Sequence, residues 1–416
     1  MIGHGRAMDQ QRTSTLNAAP IGFAEFVCLV AALMSLTALG VDSMLPALPA
    51  IGASLHVANA NERQFVITTF LIGFALGQLV YGPLADRFGR RPVLSAAMAG
   101  TIVANLVVAM SGSFELLLGA RFFAGIAVAA ARVVTVALVR DCYQGRAMAR
   151  VMSLTFIVFM AAPILAPNFG QIIIVFASWR WIFGGIAIAT AAILVWFRLR
   201  MPETLPEHAR QPLSPRRIAE DSLIVVRDRW AAGYTVASAL MSGSIFGFIG
   251  SIQQIMQDVF HRPQLLTLVF ACVASMLAVG SFLNSRLVMR LGTRRISHSA
   301  LVAVIAIAAT HLLVIWLGLE SLPVFILLQG LMMMGFSLST SNFSAMAMEN
   351  MGAIAGTASS LQGFVSMLTG ALVGALIGQS FDGTTVPLYT GFLLMAVLSL
   401  GVVAITERGR LFRPTE

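Results

Sequence analysis

Twelve stretches of predominantly apolar residues run along this chain, and their length constrains its fold more than any other feature. A helix needs about 20 apolar residues to cross the hydrocarbon core of a bilayer. Because 58% of the residues are apolar and only 11% are charged, a water-soluble fold is excluded. The sequence therefore predicts an all-α membrane protein whose twelve transmembrane helices lie near residues 22–45, 65–84, 92–111, 115–139, 151–176, 181–199, 230–256, 264–285, 297–317, 323–347, 355–379 and 386–404.

The arginines indicate which way the spans point. All 27 basic residues are arginine, and with the N-terminus placed inside, 22 of them fall in cytoplasmic tails and connections. Three fall outside and two, Arg121 and Arg132, lie within a span. Cytoplasmic loops carry such an excess of basic residues, so we expect both termini in the cytoplasm. This distribution also accounts for the net charge of +9 without nucleic acid as a partner.

The patterns of several kinds of active site are missing from the sequence. It contains no phosphate-binding loop, nucleophile elbow or dinucleotide fingerprint, and its six histidines and three cysteines lack metal-ligand spacing. A membrane-embedded enzyme would need a catalytic cluster at mid-membrane depth, and a receptor would more naturally carry a soluble domain. We therefore expect no enzyme activity, no cofactor and no metal.

Two connections half a chain apart have similar sequences. The connection after span 2 reads Gly82-Pro-Leu-Ala-Asp86-Arg-Phe-Gly89-Arg90-Arg91-Pro92, and the connection after span 8 reads Asn284-Ser-Arg286-Leu-Val-Met-Arg290-Leu-Gly292-Thr-Arg294-Arg295. Superposing Gly89 on Gly292 gives an offset of 203 residues. Two copies of six spans form the parallel-repeat plan of major facilitator transporters. We expect an N-terminal six-helix bundle at 1–199, a cytoplasmic linker at 200–229 and a C-terminal six-helix bundle at 230–416.

The segment from Gly82 to Pro92 resembles the signature of the major facilitator superfamily. Within it the chain most resembles the twelve-span drug:proton antiporters, and among these the bicyclomycin and chloramphenicol resistance branch. That resemblance rests on segments of spans 1, 4, 5 and 11, which begin at Asp42-Ser-Met-Leu-Pro46, Arg121-Phe-Phe-Ala-Gly125, Pro163-Ile-Leu-Ala-Pro167 and Ala355-Gly-Thr-Ala-Ser-Ser-Leu-Gln362. It implies two pseudo-symmetric six-helix bundles with the substrate between them.

The signature loop is the first candidate site. Gly82 permits close helix approach, Asp86 can complement the N-terminus of a neighbouring helix, and Arg90 and Asp141 lie at the same membrane edge. In the family, the residues matching this loop and its Gly89 form a gate that holds the cytoplasmic side shut. We expect the ionic residues to bias the chain toward its outward-facing state; a topology anchor is the simpler alternative.

Asp42 is one of very few carboxylates in or beside an apolar run. Burying a carboxylate in lipid costs several kcal/mol, so it should face a partner or a wet cavity. A carboxylate that gains and loses a proton is what proton coupling requires, and the family places one here. A water-exposed residue at the end of the span is the alternative. Some family members carry a second acid two turns earlier, where this chain has Met34; Glu25 is the other acid of this span.

Span 4 carries both intramembrane arginines. Arg121 and Arg132 are eleven residues apart, which is three helical turns plus about 20°, so both project from one face. That face should line the central cavity or pack against acids. In the family, an arginine at the position of Arg121 responds to protonation of the carboxylate. Arg132 departs from the pattern and has three alternatives: pairing with Asp42 or Asp141, contacting an anionic or strongly dipolar substrate, or a structural role.

Span 5 presents Pro163, Pro167 and Gly170 at i, i+4 and i+7. Such a narrow face bends a helix and lets a neighbour pack closely, and in antiporters this packing is held to prevent leak. Gln171 replaces a glycine of the family pattern, and we count it with Asn168 as a candidate cavity residue.

The C-terminal half has almost no acid or base within its spans. It supplies Met332–Met334, Phe336, Phe343 and Gln362, and Met and Phe make an adaptable surface for varied ligands. Phe336 and Gln362 are the cavity candidates; ordinary core or lipid-facing packing is the alternative. We expect His311 to be a hydrogen-bonded residue of the bundle.

Together these features predict a multi-pass transporter of the bacterial inner membrane that exports drugs or other amphipathic organic compounds in exchange for protons. Its expected partners are a small-molecule substrate, protons and the lipid bilayer, and we expect it to function as a monomer. The alternative is a transporter dedicated to a single metabolite, which the two arginines would allow to be anionic.

Overall fold

A computed structural model describes residues 19–210, 212 and 214–412 of the chain, and no strand occurs among these residues. The N-terminal and C-terminal arginines at positions 6, 12 and 413 lie outside the described residues. Within those ranges we number fourteen α-helices in chain order: α1 Phe23–Asp42, α2 Leu48–Ser54, α3 Phe65–Phe88, α4 Arg90–Met110, α5 Phe114–Cys142, α6 Gly145–Phe176, α7 Arg180–Arg200, α8 Pro215–Arg227, α9 Arg229–Gln254, α10 Leu266–Leu291, α11 Thr293–Trp316, α12 Leu322–Ala347, α13 Ala355–Gln379 and α14 Val386–Thr406.

The predicted spans all coincide with helices. In the described part of the chain, eleven helical segments are long and apolar enough to cross a membrane. The remaining predicted span is α6, in which the stretch Ala161–Phe176 is apolar. Helix ends differ from the prediction by a few residues, as in α5, which extends to Cys142. The predicted all-α membrane fold is confirmed, whereas the orientation of the termini stays a prediction.

The first six spanning helices and the last six pack in the same pattern. In the first set α3 packs on α5, α4 packs on α5 and α7, and α1 packs on α6. In the second set α10 packs on α12, α11 packs on α12 and α14, and α9 packs on α13. Equivalent helices therefore have equivalent neighbours, as expected for an internal repeat.

The two repeated connections share their backbone geometry as well. Gly89 (φ 100°, ψ 156°) precedes α4, and Gly292 (φ 79°, ψ 158°) precedes α11. A positive φ is a conformation that glycine adopts at little cost. The glycine of the repeat is therefore explained by the turn between two antiparallel spans.

The two sets of helices meet along α3 with α13 and along α6 with α10. In the first of these interfaces, Gln78 Nε2 donates a hydrogen bond to the carbonyl of Gly363 at 3.3 Å. Further along α3, a Cβ placed on Gly82 would lie 3.7 Å from Ser360 Oγ. The signature helix is thus in direct contact with the second set.

The two ends of the helix bundle differ in chemistry. We call the end that holds Gly89, Arg200 and Gly292 the basic end, because it carries the arginine-rich connections. At the opposite end, four carboxamide side chains join the two sets, and we call them the carboxamide network. They are Asn61, Gln64, Gln254 and Gln379.

Every member of the carboxamide network bonds across the interface between the sets. Gln64 Nε2 donates to Gln254 Oε1 at 2.5 Å and to the carbonyl of Gly378 at 3.1 Å. Gln254 Nε2 donates to Asn61 Oδ1 at 2.7 Å. Asn61 Nδ2 donates to the carbonyl of Gln379 at 3.1 Å, and Gln379 Nε2 returns a bond to the carbonyl of Asn61 at 2.7 Å. The opposite end is therefore closed by bonds between neutral groups.

Candidate functional site

Asp42 is the last residue of α1 and is 5% exposed. Among the residues the structure describes, its carboxyl group has neither a hydrogen-bond partner nor an ion-pair partner. An ionised carboxylate in this position would be costly without a donor. Asp42 therefore needs either a proton or a new partner.

Arg121 is fully buried on α5 beside this position. Its NH2 group donates to the carbonyl of Gly40 at 2.8 Å, and its Nε donates to the carbonyl of Val66 at 3.1 Å. The guanidinium carbon lies 4.2 Å from the centre of the Phe70 ring, a cation–π contact. Its NH1 atom has no partner among the described residues. Arg121 thus binds the backbone two residues before Asp42 without pairing with the carboxylate.

The glycine of the span 5 motif packs on the other side of the same segment. A Cβ placed on Gly170 would overlap the carbonyl oxygen of Ser43, and it would lie 3.4 Å from the ring of Pro46. Pro167 is buried and Pro163 is half-buried on the same helix. The face of α6 that carries Gly170 therefore packs directly against the turn that follows Asp42.

Three predicted elements thus converge on residues 40–43. Arg121 from α5 holds Gly40, Gly170 from α6 contacts Ser43, and Asp42 lies between them. Spacing along the chain did not indicate this convergence, because the three residues come from three different spans.

Arg132 does not join that group. Its side chain is exposed and forms no hydrogen bond or ion pair with any residue that the structure describes. Eleven residues along α5 place it about 16 Å from Arg121 along the helix axis. Neither pairing considered from the sequence, with Asp42 or with Asp141, is present.

The residues of the signature loop form a cluster at the basic end. Arg90 is 3% exposed; its NH1 contacts Asp86 Oδ1 at 2.5 Å, and its Nε contacts Asp141 Oδ2 at 3.0 Å. The structure therefore brings these three predicted residues together and ties α3, α4 and α5.

Sequence reasoning missed the acid that completes this cluster. Glu203, just after α7, accepts hydrogen bonds from the backbone N–H groups of Arg90 at 2.9 Å and Arg91 at 3.1 Å. An anion at a helix N-terminus is stabilised by the unpaired amides there. A Cβ on Gly89 would meet the carboxylate of Glu203 and displace it, so this glycine, which is required for its φ, also leaves room for the acid. Its position directly after span 6, at the same membrane edge as Arg90, is the sequence feature that could have indicated this role.

Glu25 is engaged at the basic end rather than at the depth of Asp42. Arg200 donates to both of its oxygens, at 2.7 and 2.8 Å, and Trp196 Nε1 donates at 3.2 Å. The salt bridge ties α1 to α7. This arrangement favours Asp42 over Glu25 as the acid that is free to change its partner.

The remaining polar candidates of the cavity are mostly satisfied or buried. Asn168 Nδ2 donates to the carbonyl of Ile164 on its own helix at 2.8 Å. Gln171 is half-buried and forms no hydrogen bond with the described residues. Gln362 is 8% exposed and accepts a bond from Ser344 Oγ at 3.1 Å. The structure does not gather these amides into one site.

Most of the Met and Phe side chains considered for a ligand surface lie in the core, which is the alternative stated for them. Met332, Met333 and Phe343 are buried there, at 1% exposure or less. Phe336 is half-buried against the cluster that contains Phe343 and Tyr234. The sequence could not separate core from cavity here, because α12 has no distinct apolar face and buries polar residues such as Gln329 and Asn342 as well.

The second set holds its own ionic cluster at the basic end, which the sequence did not predict. Arg294 Nε contacts Glu407 Oε1 at 2.8 Å, and Tyr234 donates its hydroxyl to the same oxygen. Glu407 is 7% exposed, and His298 lies 3.4 Å from the Tyr234 hydroxyl. Low charge in the spans of this set therefore does not mean low charge at their ends.

His311 is a hydrogen-bonded residue of the bundle. It is fully buried, its Nε2 lies 3.2 Å from Glu320 Oε1, and its ring stacks on Tyr389 with 3.6 Å between centroids.

Comparison with known proteins gives consistent results. A family model described as Major Facilitator Superfamily matches residues 30–375. A bicyclomycin resistance protein homolog of Haemophilus influenzae is 32% identical over 403 residues, covering 91% of this chain and 94% of that protein. A chloramphenicol resistance protein of Pseudomonas aeruginosa is 28% identical over 381 residues, covering 89% of this chain and 88% of that protein.

A solved structure has the same fold. The xylose transporter XylE from E. coli, in a partially occluded inward-open conformation, superposes with a TM-score of 0.71 at 14% identity. The superposition covers 91% of this chain and 98% of that chain.

Proposed function

This chain belongs to the major facilitator superfamily, and we propose that it exports drugs or other amphipathic organic compounds in exchange for protons. The superfamily consists of transporters rather than enzymes, and relatives of this chain carry the names of antibiotic resistance proteins. In this proposal the chain works as a monomer in a bacterial inner membrane, with the basic end and both termini in the cytoplasm. Residues 1–199 and 230–416 form the two moving bundles, joined by the linker at 200–229.

The observation that carries the proposal is the position of Asp42. It is buried and free of partners among the described residues, on a segment that Arg121 and Gly170 hold from both sides. A proton on Asp42 removes the cost of burying its charge. When that proton leaves, Arg121 of α5 is the buried cation beside this segment, because it already bonds to Gly40, two residues before Asp42. Its NH1 atom is unpaired in the part of the chain that is described.

We propose that this exchange of partners moves the helices. A bond from Arg121 to ionised Asp42 would compete with its bonds to Gly40 and Val66, which tie α5 to α1 and α3. Gly170 and the prolines of α6 would keep the segment sealed while the proton is transferred. Alternating access then requires the carboxamide network to separate as the basic end closes.

The cluster of Asp86, Arg90 and Asp141 is the proposed cytoplasmic gate. It makes α3, α4 and α5 one unit, and Gly82 of α3 contacts α13 of the other bundle. Contact between this unit and the second bundle would favour the outward-facing state.

The alternative function is transport of a single metabolite. The unpaired, exposed Arg132 favours it, because a fixed cation selects for a narrower range of substrates than an apolar cavity does.

Everted membrane vesicles that are energised to be acid inside test the proposal. Chloramphenicol, bicyclomycin, a cationic dye and carboxyfluorescein are added in turn while interior pH is followed, for the wild type, Asp42→Asn and Glu25→Gln. We expect substrate-triggered proton release in the wild type and in Glu25→Gln, with none in Asp42→Asn. Glu25 is the matched control because it is the other acid of α1 and is held by Arg200.

Each of the other results contradicts a named part of the proposal. Proton release that survives in Asp42→Asn moves the coupling to another group. Release that is lost only in Glu25→Gln assigns the coupling to Glu25. An absence of proton movement with every compound, in folded protein, rejects antiport and favours the single-metabolite carrier.

A further inference from the structure

The side of α5 that carries Arg132 faces the inside of the protein. Phe123 is 64% exposed and Leu116 is 50% exposed, and both lie on the lipid-facing side of this helix. Arg132 follows Phe123 by nine residues, about two and a half helical turns, so it projects from the opposite side. Arg121, on the same side as Arg132, is fully buried against α1 and α3. Arg132 therefore projects toward the side of α5 on which α1 and α3 cover Arg121, and its exposed side chain faces the interior of the bundle.

On this side of α5, exposure begins at Arg132 and continues toward the basic end. On the side of α5 that carries Arg132, Arg121 and Val128 are buried, whereas Arg132, Val136 and Arg140 are exposed at i, i+4 and i+8. The carboxamide network closes the other end of the bundle. Arg132 is thus the innermost exposed residue on this side of α5, in the space between the helices.

No described acid offsets the charge of Arg132 in that space. The described acids other than Asp42 lie at helix ends or in connections, and Asp42 is itself buried. A cation here is stable only with water or an anion as its partner. A guanidinium, moreover, binds a carboxylate with two parallel hydrogen bonds, which adds geometric selectivity to charge.

We propose that Arg132 is the substrate-binding cation of this transporter and that its preferred substrates are amphipathic organic acids. The carboxylate of the substrate binds Arg132, and its apolar body lies against the cavity wall. This inference rests on the proposed transport function, but it names the class of compound. It assigns the binding charge to Arg132 and leaves proton coupling to Asp42.

Equilibrium binding to the purified full-length chain in detergent tests this assignment without a proton gradient. Carboxyfluorescein and rhodamine 6G are matched probes, because they share a xanthene ring and carry opposite net charges. Fluorescence anisotropy gives the Kd of each dye for the wild type, Arg132→Gln, Arg132→Lys and Arg140→Gln. Arg140 is the control, because it is exposed on the same side of α5 two turns closer to the basic end.

We expect the wild type to bind carboxyfluorescein at least tenfold more tightly than rhodamine 6G. Arg132→Gln should weaken carboxyfluorescein binding about tenfold, as expected for a lost charge-assisted pair, and leave rhodamine 6G unchanged or tighter. Arg132→Lys, which keeps the charge but loses the paired hydrogen bonds, should fall between the wild type and Arg132→Gln. Arg140→Gln should stay within about twofold of the wild type, as a rim charge does.

Two results would overturn the proposal. The first is that the wild type binds rhodamine 6G as tightly as carboxyfluorescein, or more tightly. This result contradicts the proposal even if Arg132→Gln does not fold. The second is carboxyfluorescein affinity that is unchanged in folded Arg132→Gln. Failure of proton release in the vesicle experiment, by contrast, rejects antiport and leaves this binding result intact.

Discussion

The two sets of six helices share a packing pattern but place their charges at different depths. In the first set Asp42, Arg121 and Arg132 lie within the spans. The residues 203 positions later are Ile245, Val324 and Gly335, none of which carries a charge. At the basic end the sets are alike again, since each holds an arginine paired with acids, buried at Arg90 and half-buried at Arg294.

This difference distinguishes the residues that stabilise the fold from the residues that we propose to act in transport. The basic-end clusters recur because each repeat has the same problem, which is to fix the sharp turn at Gly89 or Gly292 and anchor the helix that follows. Charge at depth is costly, so it needs a compensating role. In the proposed function the first set supplies the ion chemistry and the second set supplies a neutral wall.

The largest expected effect comes from removing the buried arginine that the second set lacks. Arg121→Ala should lower the free energy of unfolding by about 3–5 kcal/mol, because it removes two buried hydrogen bonds and leaves a large cavity. Thermal unfolding in detergent, followed by tryptophan fluorescence, measures the change. Arg262→Ala, at an exposed connection, is the control and should change stability by less than about 0.5 kcal/mol. Equal stability of the two variants would mean that Arg121 is not the tie between α5, α1 and α3.

A somewhat smaller loss should follow from breaking the cluster of the second set. Arg294→Gln leaves Glu407 buried without its cation, which costs about 3 kcal/mol. Protons exchanged per substrate should nevertheless be unchanged in vesicles. Glu349→Gln is the control, because Glu349 is half-exposed and 3.9 Å from Arg294. If Arg294→Gln uncoupled transport, the division of labour between the two sets would be wrong.

The contact at Gly170 should be less costly for stability than for sealing. Gly170→Ala forces a methyl group against the carbonyl of Ser43, which we expect to cost about 1–3 kcal/mol and to raise passive proton leak. Gly119→Ala is the control, since its Cβ would meet open space, and it should stabilise α5 by up to about 1 kcal/mol. Tight vesicles with Gly170→Ala would show that the seal lies elsewhere.

The smallest effect is expected at the carboxamide network, where the two sets meet as neutral partners. Gln254→Ala removes two hydrogen bonds and should shift the balance toward an open opposite end by about 1–2 kcal/mol. Spin labels at Ala58 and Thr384, in a variant with the three native cysteines replaced by serine, report the distance between the sets. Gln257→Ala, an exposed carboxamide near the same helix end, is the control. A distance distribution identical in both variants would contradict a role of the network in closure.

Much of the fold was predictable because the bilayer restricts it. Span length follows from membrane thickness, and the repeat of Gly89 at Gly292 revealed the two halves. The cluster of Asp86, Arg90 and Asp141 was also expected, since all three lie at one membrane edge and two of them are four residues apart in the sequence.

The rest depended on how helices from distant parts of the chain rotate and pack. The contact of Gly170 with Ser43 and the bonds of Gln64 with Gln254 join residues more than a hundred positions apart. Hydrophobic periodicity gives no rotation for helices such as α12 that lack a distinct apolar face. For that reason the sequence left both a ligand surface and core packing open for Met332 and Phe343, and the structure places them in the core.

The chemistry of the carboxamide network determines how closure of that end responds to the pH and salt concentration outside the membrane. In the proposed orientation it is the part of the gate that meets the medium outside the cytoplasmic membrane. Its four side chains contain no ionisable group, so neither acidity nor salinity alters their bonds directly. A bacterium that moves between acid and brackish surroundings would therefore keep the same resting closure of its exporter. Only the proton supply at Asp42 would report the outside pH to the transport cycle.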